Sequence, residues 1–179
     1  MKTALLVIDV QVGIVDRFPV HNQDQVLANI SSLLAKARAA NVPLIYVQHD
    51  GGEGHPLEVN TAGWQIHHRV APIDGEPVVR KQSCSSFYET PLQQVLNDAG
   101  ILHLVVTGCM TEYCVDTACR HATTLGFDVT LAGDAHTTID NESLKAAQII
   151  EHHNRVLDGF SSGENAVTVR STGEIDFSN

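Results

Sequence analysis

The stretch Ile101-Leu102-His103-Leu104-Val105-Val106-Thr107-Gly108-Cys109-Met110-Thr111-Glu112-Tyr113-Cys114-Val115-Asp116 sets the architecture. Its first half is a short, β-branched, nearly unbroken apolar run. That pattern fits a strand covered on both faces, as in a parallel sheet. Gly108 ends the run. Val115, Ala118, Ala122 and Leu125 then recur at helical spacing, and Gly126 follows the last of them. The spacing predicts a helix over 111–125, with Thr111 as its N-cap and Gly126 as its stop. A buried strand, a glycine turn and a helix in succession form half of a β-α-β unit.

The same grammar extends in both directions. Upstream, Thr3-Ala4-Leu5-Leu6-Val7-Ile8-Asp9-Val10 is a second buried strand, interrupted by Asp9 near its end. Val26, Ile30, Leu33, Leu34 and Ala37 lie on one helical face, and Val42–Val47 reads as the next strand. Residues 50–76 carry Gly51, Gly52, Gly54, Pro56, Gly63, Pro72 and Gly75 and no clear period, so they read as loop, the kind of segment that often covers a site. Pro77–Lys81 is a short strand. Thr90 caps a helix with Pro91 in its first turn, and Leu92, Val95, Leu96 and Ala99 form its apolar face. Downstream, Phe127–Leu131 is a strand, Asp140 caps a helix running to about Leu157, and Ala166–Val169 is the last strand. Strands alternate with helices throughout. This predicts one α/β domain over 1–179, a doubly wound, mostly parallel six-stranded sheet with helices on both faces.

In such sheets ligands bind beyond the carboxyl ends of the strands. Asp9, His49, Lys81 and Cys114 all lie at or just after predicted strand ends. Cys114 falls in the first turn of its helix, where the helix dipole favours a thiolate and free N–H groups suit an oxyanion. A small buried thiol would be the plainer account of the same residue. Asp9 fits a general base or a loop-capping carboxylate, and Lys81 a site cation or a solvated surface group. If the three strand ends meet, they form a carboxylate, cation and thiol constellation. Cys84, Cys109 and Cys119 receive no chemical task from their surroundings. Their spacing, with Cys114 and His121, does not match paired zinc-knuckle ligands.

Charge and composition exclude several classes. Eleven Lys and Arg against 21 Asp and Glu give a net charge of −10, which opposes binding to nucleic acid or to an anionic membrane surface. With 43% hydrophobic and 18% charged residues the chain reads as globular rather than disordered. Neither a signal-peptide pattern nor a membrane-spanning run is evident, and a cytoplasmic location is the expectation.

Leu6-Val7-Ile8-Asp9-Val10-Gln11, the lysine ending Val78-Val79-Arg80-Lys81, and Val106–Val115 together resemble the isochorismatase-like cysteine hydrolases. Ser86-Phe87 with Thr90-Pro91-Leu92, Gly126–Val129 and Ala132-Gly133-Asp134-Ala135 extend the resemblance over residues 3–158. The resemblance implies an Asp9-Lys81-Cys114 triad. It also implies a cis peptide between Cys109 and Met110, with the N–H groups of Met110 and Cys114 serving as oxyanion donors. The activity implied is hydrolysis of a small-molecule amide through a Cys114 thioester. A vinyl ether hydrolase and a non-catalytic small-molecule binder are the alternatives.

Nicotinamidases in the family carry an Asp-x-His metal pattern after the second strand. Here that place reads Gln48-His49-Asp50, with His55 later, so neither a metal nor another cofactor is expected. Trp64, Phe87 and Tyr113 are the candidate substrate-contacting residues, with Trp64 equally suited to anchoring its loop. The expected partner is a small-molecule substrate, and the resemblance implies a homodimer or homotetramer.

Overall fold

The computed structural model describes residues 1–177. Strands β1 (Thr3–Ile8), β2 (Leu44–His49), β3 (Val78–Lys81), β4 (His103–Cys109), β5 (Asp128–Thr137), β6 (Ser161–Ser162) and β7 (Asn165–Arg170) form a single sheet. Their spatial order is β3-β2-β1-β4-β5-β7-β6. All neighbours are parallel except the β6–β7 pair. The helices are α1 (Val12–Val15), α2 (Gln23–Ala39), α3 (Leu92–Asp98), α4 (Asp116–Thr124) and α5 (Ala146–Leu157). None of the described helices is long and apolar enough to cross a membrane.

The apolar runs form strands because both faces of the sheet are covered. Along β1, Ala4, Leu6 and Ile8 enter one core cluster with Leu92 and Leu96 of α3 and Ala118 and Ala122 of α4. Leu5 and Val7 enter the opposite cluster with Leu27, Ile30, Leu33 and Leu34 of α2. Each such Leu or Ile, fully removed from water, contributes roughly 1.5–3 kcal/mol. All five residues of the predicted α2 stripe, from Val26 to Ala37, are buried.

Strand order reverses between β1 and β4, which makes their carboxyl ends the topological switch point where an open α/β sheet forms its crevice. The two strands approach closely there. Gly108 has φ of +125°, and a Cβ at that position would collide with the backbone carbonyl of Ile8. Only glycine meets both demands.

Three elements differ from the sequence reading. The sheet has seven strands rather than six, because Ser161–Ser162 pairs antiparallel with β7. A two-residue strand is too short to show a period. The strand expected over 127–131 continues through Gly133 and Asp134 to Thr137. The helix expected to start at Asp140 begins at Ala146 instead. Asp140 still serves its start: one carboxylate oxygen accepts from the Ala146 N–H at 2.9 Å and the other from Lys145 Nζ at 2.7 Å.

Candidate active site

The strand ends bring Asp9, Lys81 and Cys114 into contact. Asp9 follows β1 and is 1% exposed. It adopts a left-handed conformation, φ +51°, which Asp tolerates better than most residues. Its N–H still reaches Val47 O at 2.9 Å, so the turn keeps the sheet's hydrogen bonding. Lys81 ends β3 and has a fully buried side chain. Its Nζ donates to Asp9 Oδ2 at 2.7 Å, to Cys114 Sγ at 3.1 Å and to Ser83 O at 2.8 Å. All three ammonium hydrogens therefore have acceptors. Asp9 Oδ1 is buried and has no nitrogen or oxygen partner among the described residues.

The electrostatics follow from this burial. Loss of solvent pushes the Asp9 carboxyl upward, opposed by Lys81. Burial works to lower Lys81, but the Asp9 and Cys114 charges outweigh it and the ammonium is held. The Cys114 thiol is raised, first by burial and then by the Asp9 carboxylate, with Lys81 opposing. Burial thus pushes both the carboxyl and the thiol toward their protonated forms. Thr111–Val115 is a π-helical turn rather than the start of an α-helix. Such turns recur at functional sites.

Thr111 does not act as N-cap either. Met110 occupies that position without a side-chain cap, and its carbonyl accepts from the N–H groups of Tyr113 at 3.1 Å and Val115 at 3.3 Å. The Cys109–Met110 peptide bond is cis. Cys109 is buried, and its thiol is pushed up to about 12 by desolvation. Cys119 is buried and Cys84 is exposed, while the Cys84 carbonyl lies 3.5 Å from Lys81 Nζ.

The aromatic candidates separate. Trp64 donates from Nε1 to Asp50 Oδ1 at 2.8 Å and lies under the Arg80 guanidinium, 5.0 Å from its ring centre. Asp50 in turn pairs with Arg80 at 2.7 Å. The Trp64 carbonyl accepts from both Gln11 and Gln48 side-chain amides at 2.8 Å. These contacts describe a loop anchor. Phe87 is a core residue, 6.1 Å from Phe127 and 5.4 Å from the His121 ring, centre to centre. Tyr113 is 53% exposed immediately before Cys114 and stays available to a ligand. A cleft of about 420 Å³ opens at the end of β3, lined by residues that include Asp50, Arg80, Ser83, Tyr88 and Glu89; Tyr113 and Cys114 are not among its walls.

Two supporting residues carried no role in the sequence reading. Gln11 is wholly buried. Its side chain accepts from His49 N–H at 2.9 Å and donates to His49 O at 3.0 Å, so one amide ties β2 and the 50–66 loop to the end of β1. A glutamine two residues past a strand-ending aspartate was the available signal. His136, buried at the end of β5, hydrogen-bonds Thr111 at 2.8 Å. His49 is half-buried and held low by desolvation, with its ring 5.7 Å from that of His55. Among the described residues, no three His, Cys, Asp or Glu side chains are arranged to hold a metal.

Known proteins share this fold. The isochorismatase domain model matches residues 3–158. A streptothricin hydrolase from Streptomyces noursei is 41% identical over 138 residues, covering 76% of this chain and 55% of that protein. The chain spans about half the length of the streptothricin hydrolases it matches. A secreted isochorismatase effector of Verticillium dahliae is 36% identical, covering 83% of this chain and 80% of that protein. A ureidoacrylate amidohydrolase from Enterobacter is 29% identical, covering 81% and 80%. The crystal structure of an isochorismatase from Pseudomonas putida KT2440 superposes with a TM-score of 0.89 at 30% identity, covering 97% of this chain and 90% of that one. A domain match over residues 3–158, together with the fold described above, places the protein in the isochorismatase family.

Proposed function

We propose that this chain is a cysteine amidohydrolase that cleaves a C–N bond in a small, non-peptide substrate. The observation that carries the reading is the shared ammonium: Lys81 Nζ is in hydrogen-bond reach of both the Asp9 carboxylate and the Cys114 sulfur. The presence of an amidohydrolase among the relatives supports it.

A neutral thiol beside a carboxylate calls for general-base activation. As Cys114 Sγ attacks the amide carbonyl carbon, its proton passes to Asp9, and Lys81 stabilises the sulfur as it gains charge. The carbonyl oxygen becomes an oxyanion, for which the backbone N–H groups of Met110 and Cys114 are the assigned donors. Collapse breaks the C–N bond while Asp9 returns the proton to the departing nitrogen. Asp9 then takes a proton from water, whose oxygen attacks the thioester, and Cys114 leaves with that proton. Each half-reaction restores Asp9, and Lys81 keeps its charge throughout. Tyr113, exposed beside Cys114, contacts the substrate.

The test is a panel of primary amides, N-carbamoyl amino acids, ureido acids and isochorismate, scored for product release by the wild type and by Cys114→Ala. Release of ammonia or amine that disappears in Cys114→Ala is the expected result. Turnover of isochorismate alone, or turnover retained in the folded variant, overturns the reading.

A further inference from the structure

His136 is 1% exposed and lies opposite Gly108 in the β4–β5 register, beneath the turn that carries Cys114. Both ring nitrogens are engaged, at 2.8 Å to Thr111 Oγ1 and at 2.8 Å to Asn154 Oδ1 on α5. The direction of each bond can be deduced. Asn154 Nδ2 donates to Gly133 O at 2.9 Å, and a backbone carbonyl only accepts. The amide oxygen of Asn154 therefore faces the ring, and His136 carries its hydrogen on Nε2. His136 Nδ1 is then an acceptor, so the Thr111 hydroxyl donates to it. The chain of donors runs in one direction, from the Cys114 turn through β5 and α5 to the carbonyl of Gly133. Burial holds His136 low, at about 4, which keeps this tautomer neutral.

A buried polar chain of this kind is costly unless every member is satisfied, and here every member is. It also acts where the turn lacks a side-chain cap. The π-helical turn 111–115 has no side-chain cap at Met110. The Thr111 hydroxyl, which would have capped an α-helix, is turned onto His136. We propose that His136 and Asn154 are positioning residues: by clamping Thr111 they fix the five-residue turn that keeps Cys114 Sγ 3.1 Å from Lys81 Nζ. This rests on the reading of Cys114 as the nucleophile, and it assigns these two residues the task of setting the thiol's environment.

The test reads the thiol itself and needs no substrate. Alkylation of Cys114 by iodoacetamide is followed across pH by peptide mass spectrometry, which separates it from Cys84, Cys109 and Cys119. The variants are Thr111→Val, which removes only the hydroxyl, Thr111→Ser, which retains it, and Asn154→Leu at the far end of the chain. Circular dichroism confirms that each is folded. In Thr111→Val the alkylation midpoint should fall by about one pH unit toward that of an ordinary thiol, as sulfur leaves its place beside Asp9. Asn154→Leu should shift it in the same direction, and Thr111→Ser should keep the wild-type profile. The double variant Thr111→Val/Asn154→Leu should shift no further than Thr111→Val alone, because both break one network. Wild-type midpoints in folded Thr111→Val and Asn154→Leu overturn the proposal. Amide turnover that survives Cys114→Ala would instead overturn the nucleophile reading, while the alkylation profiles still report whether the chain sets the thiol.

Discussion

Lys81 Nζ stands 2.7 Å from Asp9 Oδ2, and the two side chains are 0% and 2% exposed. Two charges so fully withdrawn from water depend on each other. Removing one leaves the other buried without compensation, at a cost of about 3–5 kcal/mol. Lys81→Met should therefore lower unfolding stability by that order. The double variant Asp9→Asn/Lys81→Met should recover most of the loss. Urea unfolding of both decides it, and a Lys81→Met protein as stable as wild type would show the pair to be solvated.

A second prediction concerns His136 and pH. Its value in the fold is about 4, against 6.5 for a free imidazole. Between those values the unfolded chain binds the proton and the folded chain does not. His136 thus contributes stability that is present above about pH 6.5 and is lost as pH falls toward 4. At about 1.4 kcal/mol per pH unit the full contribution is about 3 kcal/mol. His49, His67 and His103 are also held low by burial and act in the same direction. The informative quantity is therefore the difference between wild type and His136→Asn. The variant's stability should decline less steeply between pH 6.5 and 4, and parallel curves would contradict the assignment.

The site was legible in the sequence where it depended on strand ends. Asp9, Lys81 and Cys114 each follow an apolar run, and parallel strands deliver their carboxyl ends to one edge. What was not legible depended on contacts across the fold. Phe87 was a candidate substrate contact, yet Phe127 and His121 draw it into the core. The π-helical turn at 111–115 was not legible, because the apolar spacing shows only that a helix starts there. His136 lies in Ala132-Gly133-Asp134-Ala135-His136, where glycine and aspartate mask a continuing strand. Ser161–Ser162 has no pattern long enough to detect.

The 50–66 loop should depend on Gln11. Its amide is the shared partner of His49 and Trp64. Gln11→Leu leaves those backbone groups without their partner, at about 1–3 kcal/mol for each that stays dry. Limited proteolysis should then cut within residues 50–66 faster than in wild type, while cutting elsewhere is unchanged. Equal rates would mean that Gln48 and the Asp50–Trp64 bond hold the loop without it.

The carboxyl-terminal segment is fastened by two charged residues. Lys36 Nζ donates to Thr172 O at 2.7 Å and Ile175 O at 3.0 Å. Asp134 Oδ1 accepts from the Thr172 backbone at 2.7 Å and hydroxyl at 2.6 Å. These bonds seat Ile175, 5% exposed, in the α2-side core. Ile175→Ala should cost about 2–4 kcal/mol in urea unfolding and leave the Cys114 alkylation profile unchanged. A shifted profile would show that this distant core is coupled to the site.

The central claim is that Cys114 forms a covalent bond to the acyl half of its substrate. Rapid acid quench during turnover of an active amide from the panel, followed by mass spectrometry of the Cys114 peptide, tests it directly. The predicted result is a transient mass increase equal to the acyl fragment, on Cys114 alone and absent in Cys114→Ala. Full turnover with the Cys114 peptide unmodified at every quench time, and undiminished in Cys114→Ala, would contradict it.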